Sequence, residues 1–227
     1  MTITLITGAN KGIGYETARQ LLELGHKVYL GARSIERGQA AAKDLGAHFV
    51  QLDVTDDASV AAALQQIDEA EGHLDVLVNN AGIVPTAPFG PDALQVFNTN
   101  PVGVVRVTQA ALPLLRKSEV PVVVNVTSGL GSFWAVTNPE RTESLQPAGV
   151  YAASKAAVTM LTVQYAKAEP GIKFNAVEPG LTATDLIAGY DGGRPASESA
   201  KVVVRMATIG ASGPTGTVQE DDGVLPW

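Results

Sequence analysis

Along this chain, short unbroken runs of Val, Ile and Leu alternate with longer stretches whose apolar residues recur at helical spacing. A strand that is apolar without a break is buried on both faces, as happens where helices cover both sides of a parallel sheet. The runs predict strands near Ile3–Thr7, Lys27–Ala32, His48–Asp53, Leu74–Asn79, Val120–Thr127 and Lys173–Glu178. The stretches between them predict helices near Gly12–Leu24, Ile35–Leu45, Asp57–Glu71, Asp92–Leu115, Val150–Ala168 and Ala196–Ala207, with a last short strand near Gly216–Gln219. Strict β-α alternation with right-handed crossovers gives an α/β fold, a doubly wound parallel sheet with helices on both faces. Ligands of such a sheet bind beyond the carboxyl ends of its strands, where the strand order reverses. Two segments near 129–149 and 181–195, rich in Gly, Pro, Thr and Asn, each follow a strand end and are the expected substrate loops.

Composition narrows the function classes. With 45% hydrophobic and 17% charged residues, the 227-residue chain can bury a core and is not a disordered polymer. A formal charge of -7 and no visible basic patch argue against a nucleic-acid partner. The absence of cysteine removes disulfides, Cys-ligated metal centres and thiolate nucleophiles. His26, His48 and His73 sit near strand starts, away from the expected crevice, so no metal site is expected. The apolar run at the amino end is too short for a signal peptide or a membrane span, and the expectation is a cytoplasmic protein without membrane association.

Chemistry enters at the first turn. The segment Thr7-Gly8-Ala9-Asn10-Lys11-Gly12-Ile13-Gly14 joins the first strand to the first helix. Gly8 suits a tight turn, Gly12 a close backbone approach to a pyrophosphate, and Gly14 close packing of helix on sheet, while the helix N-terminus offers free N–H groups to phosphates. Together with the sheet, this predicts a single Rossmann-type dinucleotide-binding domain over residues 1–227. At the end of the second strand, where an acid would hold the ribose 2′-hydroxyl of NAD, stand Ala32, Arg33 and Ser34. Arg33, with Lys11, is suited to a 2′-phosphate instead. Further on, Tyr151 and Lys155 lie four apart in a predicted helix and share one face. Ser128 ends the fifth strand.

These motifs, with Asn79-Asn80-Ala81-Gly82, Asn100-Pro101-Val102-Gly103 and Pro179-Gly180-Leu181-Thr182-Ala183-Thr184, resemble in order and spacing the short-chain dehydrogenase/reductase family, from Thr7 to at least Thr184. The resemblance implies a catalytic tetrad of Asn100, Ser128, Tyr151 and Lys155. In that reading Tyr151 gives the proton, Lys155 stabilises its phenolate and holds the nicotinamide ribose, Ser128 polarises the carbonyl, and Asn100 holds a water on the way to solvent. It further implies NADP(H) bound by Gly8, Asn10, Lys11, Gly12, Ile13, Gly14, Arg33, Asp53, Val54, Asn80, Ala81, Gly82, Tyr151, Lys155, Pro179, Gly180, Thr182 and Thr184. Asp53 would take the adenine amino group, and Thr182 and Thr184 the nicotinamide carboxamide.

The expected activity is therefore NADPH-dependent reduction of a ketone or aldehyde. Oxidation of a secondary alcohol and an NADP(H) sensor without turnover stay open. From Ser128 to Tyr151 the chain runs longer than the common family pattern, with the extra residues in 133–146; this resembles, in reduced form, the carbonyl-reductase-like branch, where insertions here cover a helix face used in oligomerisation. Homo-oligomerisation is thereby left open. Phe89, Phe133, Trp134, Tyr190 and Trp227 lie in loops that could line a pocket for an apolar or aromatic carbonyl compound.

Overall fold

The computed structural model describes residues 1–185 and 192–227. In chain order it holds β1 (Ile3–Thr7), α1 (Gly12–Glu23), β2 (Lys27–Ala32), α2 (Ile35–Leu45), β3 (His48–Gln51), α3 (Asp57–Glu71), β4 (Val76–Asn79), α4 (Ala93–Thr99), α5 (Pro101–Leu115), β5 (Val122–Val126), α6 (Phe133–Thr137), α7 (Gly149–Ala168), β6 (Lys173–Val177), α8 (Ala196–Ala207), β7 (Thr217–Glu220) and β8 (Gly223–Val224). They form an 8-stranded sheet in the order β3-β2-β1-β4-β5-β6-β7-β8. Every pairing is parallel except β7 with β8.

The unbroken apolar strands are explained by two cores. Strand period two sends Ile3, Leu5 and Leu77 to the face covered by α3, α5 and α7, and Ile6, Val76 and Val78 to the face covered by α1, α2 and α8. A buried polar ladder crosses the middle of the first face. Asn79 Nδ2 donates to Asn125 Oδ1 at 2.8 Å and to Thr108 Oγ1 at 3.1 Å, and Asn125 Nδ2 donates to Thr162 Oγ1 at 2.9 Å. These buried amides are thus matched with acceptors, which fixes the register of β4 against β5 and the height of α7 upon it.

Three sequence expectations are revised. The helix expected over Asp92–Leu115 is two helices, because Pro101 has no N–H to continue α4 and disfavours helical geometry at Asn100, whose φ and ψ are -73° and -79°. The extra segment 133–146 is not plain loop. It carries α6 and a 3₁₀ turn (Thr142–Leu145), because Ser132 caps α6 by accepting the N–H of Ala135 at 3.1 Å. The chain also adds β8, which pairs with β7 and lets Leu225 close a small core with Ala135, Ala176 and Val218.

Candidate active site

The chain order reverses between β1 and β4, and the glycine turn after β1 lies there against Asn80 and Ala81 after β4. Gly8 has φ +64°, and a Cβ on it would stand 2.9 Å from Ala81 Cα. Thr7 and Asn80 stitch this junction. Thr7 Oγ1 accepts the N–H groups of Asn80 and Ala81, each at 3.0 Å, and Asn80 Nδ2 donates to the carbonyls of Thr7 and Gly8 at 2.9 and 3.1 Å. The Asn80 amide therefore shapes the glycine turn itself. Gly12, at φ +59°, lies under Thr184, whose Cγ2 would be 3.2 Å from an added Cβ. The glycine loop and the Pro179–Thr184 loop thus lie against each other at Gly12 and Thr184; Asn10 lies within the glycine loop and Ile13 in the first turn of α1.

Beyond the glycine turn is a hollow of about 550 Å³ lined by Asn10, Lys11, Arg37, Asp44 and Asp185 among others. Lys11 Nζ pairs there with Asp185 at 2.6 Å, and Lys11 with Arg37 holds that exposed carboxylate below the usual range. An exposed pair of this kind is weak and exchanges readily for a better anion. Arg37 is a cation that the sequence reading missed. It stands one helical turn beyond the exposed Arg33, in the first turn of α2, where the N–H of Arg37 is capped by Ser34 Oγ at 3.3 Å. Asp53 follows β3 and accepts the Thr55 N–H at 2.9 Å and the Thr55 hydroxyl at 2.7 Å. Burial pushes its carboxyl up, but those hydrogen bonds and the charges of Arg33 and Arg106 outweigh it and leave the net shift downward. The neighbouring Val54 is buried against Gly103 of α5.

The tetrad candidates come together at the carboxyl end of β5. Lys155 is 5% exposed, its Nζ donating to Val126 O at 2.8 Å and standing 5.8 Å from the Tyr151 ring centroid. Ser128 Oγ accepts the Leu130 N–H at 3.3 Å and lies near enough to the Tyr151 hydroxyl to favour its ionised form. Gly82 lies beside both residues, since a Cβ on it would stand 3.4 Å from Asn100 Oδ1 and from Lys155 Nζ. Asn100 clamps that same loop: its Oδ1 accepts the N–H of Ile83 at 2.9 Å, and its Nδ2 donates to Ile83 O and to Ser154 Oγ, both at 2.9 Å. The Val104 N–H reaches Asn100 O at only 3.3 Å, a long bond that leaves acceptor capacity on that carbonyl. Burial pushes the Tyr151 phenol up to about 12, helped by the Glu178 charge and opposed by Ser128. Burial also pushes Lys155 down to about 8. The chain's own groups therefore favour the neutral form of both residues.

On the far side, Thr182 Oγ1 donates to Gly180 O at 2.9 Å and meets Ser199 Oγ of α8 at 2.7 Å, so its side chain braces the loop. Pro179 O accepts from Arg194 Nε at 3.0 Å. The aromatic candidates part company. Phe89 and Phe133 are 82% and 74% exposed at the rim. Trp134 packs under Arg141, 5.7 Å from its guanidinium, and its backbone N–H donates to Trp227 O at 2.8 Å. Tyr190 lies outside the described residues. His26, His48 and His73 sit at the amino end of the sheet: His26 bonds Thr4 Oγ1 at 2.8 Å, His48 stacks on Tyr29, and His73 lies 3.3 Å from Asp75. A hollow of about 780 Å³ opens at that end, but it is remote from the glycine turn and on the wrong side of a doubly wound sheet for its ligand.

The profile of the family described as short chain dehydrogenase matches residues 2–192. The chain belongs to that family. As a short-chain dehydrogenase it is an oxidoreductase. It is 35% identical to the short-chain dehydrogenase/reductase ATR10 of Stachybotrys chlorohalonatus, with 99% of this chain and 94% of the relative covered. It is 33% identical to (-)-isopiperitenone reductase of Mentha piperita, covering 97% of this chain and 96% of that one. That alignment runs over 304 positions, more than the 227 residues here, so the relative carries segments this short-chain dehydrogenase lacks. Among solved structures, the NADPH-bound carbonyl reductase from chicken fatty liver superposes with a TM-score of 0.85 at 27% identity, covering 100% of both chains.

Among the described residues, no helix is long and apolar enough to cross a membrane.

Proposed function

We propose that this oxidoreductase reduces a ketone or aldehyde with NADPH, Tyr151 giving the proton. The observation that carries the reading is the gathering of Ser128, Tyr151 and Lys155 at the carboxyl end of β5, with Lys155 Nζ on Val126 O and 5.8 Å from the Tyr151 ring centroid, on the same side of the sheet as the glycine turn after β1. NADPH would supply the hydride. Gly8, Asn10, Gly12, Ile13 and Gly14 would hold its pyrophosphate, and Lys11, Arg33 and Arg37 its 2′-phosphate. Asp53 and Val54 would receive the adenine, and Asn80, Ala81 and Gly82 would line the adenosine ribose. Pro179, Gly180, Thr182 and Thr184 would hold the carboxamide, and Tyr151 with Lys155 the nicotinamide ribose.

The chain's own work is placement and charge. A carbonyl accepting hydride gathers negative charge on oxygen, and the Ser128 and Tyr151 hydroxyls would be the donors that meet it. Lys155 would then stabilise the phenolate that Tyr151 leaves, and Asn100 would hold a water for proton resupply. The carbonyl reductase and (-)-isopiperitenone reductase likenesses support the reductive reading. The exposed apolar side chains of Phe89, Phe133, Leu145 and Leu181, carried on the segments after β4, β5 and β6, support an apolar substrate, and a chain without cysteine fits a cytoplasmic setting.

The test is NADPH consumption against aromatic, aliphatic and quinone carbonyls, with NADH and Tyr151→Phe in parallel. NADPH-preferring turnover that disappears in the variant upholds the reading. Tight NADPH binding without turnover of any carbonyl or alcohol overturns it in favour of a sensor. Arg33→Ala and Arg37→Ala should each raise KM for NADPH about tenfold or more and leave KM for NADH nearly unchanged. An equal rise for both cofactors removes the 2′-phosphate assignment.

A further inference from the structure

The Pro179–Thr184 loop is tied by a residue that belongs to none of the sequence motifs. Arg194 lies further along the chain and returns to that loop twice, by its backbone and by its side chain. The Arg194 N–H donates to Leu181 O and the Arg194 carbonyl accepts the Ala183 N–H, both at 2.9 Å, which pairs Arg194 with Thr182 in a short parallel bridge. Gly193 allows that approach, since a Cβ on it would stand 2.4 Å from Ala183 N and 2.7 Å from the Thr182 carbonyl carbon. The two ends of the segment 181–194 are thus pinned together.

The side chain then reaches back to the start of the loop. Arg194 Nε donates to Pro179 O and to Ser199 Oγ of α8, both at 3.0 Å, and a second N–H of the same guanidinium also reaches Pro179 O. Gly180, at φ +74°, lies against the guanidinium: an added Cβ would stand 3.0 Å from Nε and 3.1 Å from Cζ. The remaining arm pairs with Asp221, between β7 and β8. Arg205 of α8 fixes that turn by donating to Glu220 O at 2.6 Å and Asp221 O at 3.0 Å. An ion pair whose side chains are 30% and 45% exposed holds little by itself. What matters is the planar fork, which serves Pro179 O, Ser199 Oγ and Asp221 at once in fixed directions, as an ammonium on a flexible stem does not. The loop so held ends at Thr184, whose Cγ2 lies against Gly12 of the glycine turn.

We propose that Arg194 is a positioning residue for the cofactor, fixing the Pro179–Thr184 loop at the height where it meets the nicotinamide end. The role rests on the reading of this loop as the holder of the carboxamide. It predicts a loss confined to that end of the cofactor. The probes are NADPH and adenosine 2′,5′-bisphosphate, which carries the adenine and the 2′-phosphate but no nicotinamide. In Arg194→Met, calorimetric titration should show Kd for NADPH raised about tenfold and Kd for the bisphosphate changed by less than about twofold. NADH should weaken by the same factor as NADPH, in contrast to Arg33→Ala and Arg37→Ala. Arg194→Lys should recover part of the loss, because one ammonium still reaches Pro179 O or Asp221. Unchanged binding of the bisphosphate also shows that the variant is folded. Where Arg194→Met does not fold, Arg194→Lys and Asp221→Asn carry the same test, each with a loss of about threefold on NADPH alone. Equal weakening of both probes overturns the proposal and leaves Arg194 a tie of the fold in general, and unchanged affinities overturn it too. Wild-type protein that binds the bisphosphate as tightly as NADPH defeats the carboxamide reading of the loop and this role with it, whereas failure to bind either probe defeats the cofactor reading itself.

Discussion

A buried amine and a half-buried phenol stand side by side at the end of β5, and each resists its charged form. Lys155 has a pKa of about 8 in the folded chain against 10.5 for the free side chain. The unfolded chain therefore binds this proton more tightly, so Lys155 makes folding less favourable at neutral pH and less so as pH rises through that interval. Lys155→Met should accordingly be more stable than wild type at neutral pH while losing turnover. Urea denaturation should show its advantage shrinking by about 2 kcal/mol between pH 7 and about pH 9.5, and a gap that does not move with pH would contradict the burial argument. Tyr151→Phe removes a hydroxyl and no charge. It should cost at least about a hundredfold in kcat, with NADPH affinity changed by less than about threefold, measured by steady-state kinetics and cofactor fluorescence titration.

The elements matter through how closely they approach. The 3₁₀ turn Gly129–Gly131 after Ser128 is pressed onto α7, and a Cβ at Gly131 would stand 2.7 Å from the Lys155 carbonyl carbon and 2.8 Å from the Ala156 nitrogen. Both are backbone atoms, so nothing flexible can yield. Gly131→Ala should push the Ser128 turn away from Tyr151, lowering stability by about 2 kcal/mol and kcat by a larger factor than KM. Thermal melts and kinetics on the same preparation check this, and wild-type activity in the variant would show that the turn tolerates displacement. The break between α4 and α5 works in the same way, because a continuous helix would not present the Asn100 side chain to the Ile83 backbone.

Across the whole molecule, the residues after Ser128 and those after β7 build one another. Trp134 and Ser132 bond the carbonyls of Trp227 and Pro226 at 2.8 and 2.6 Å, and Leu225, 1% exposed, packs on Ala135. Arg141 adds its reach to Glu220. Leu225→Ala should cost about 3 kcal/mol and, by releasing α6, speed limited proteolysis within 132–146 relative to the rest of the chain. Proteolysis that stays uniform would mean that the segment holds itself in place.

The amino-acid sequence determined the alternation of strands and helices, the two-faced burial of the sheet, the glycine turn and the spacing of Tyr151 to Lys155, because each is set by local periodicity or by a residue type with few conformational substitutes. It also carried the family, whose motifs lie in order along the chain. Tertiary structure alone decided the division at Asn100 into two helices, the folding of 133–146 onto the residues after β8 and the joining of Arg37 to Lys11 around one hollow. Those depend on which distant segments the sheet order brings together, and a carboxylate or guanidinium looks the same in sequence whether it faces solvent or a catalytic hydroxyl.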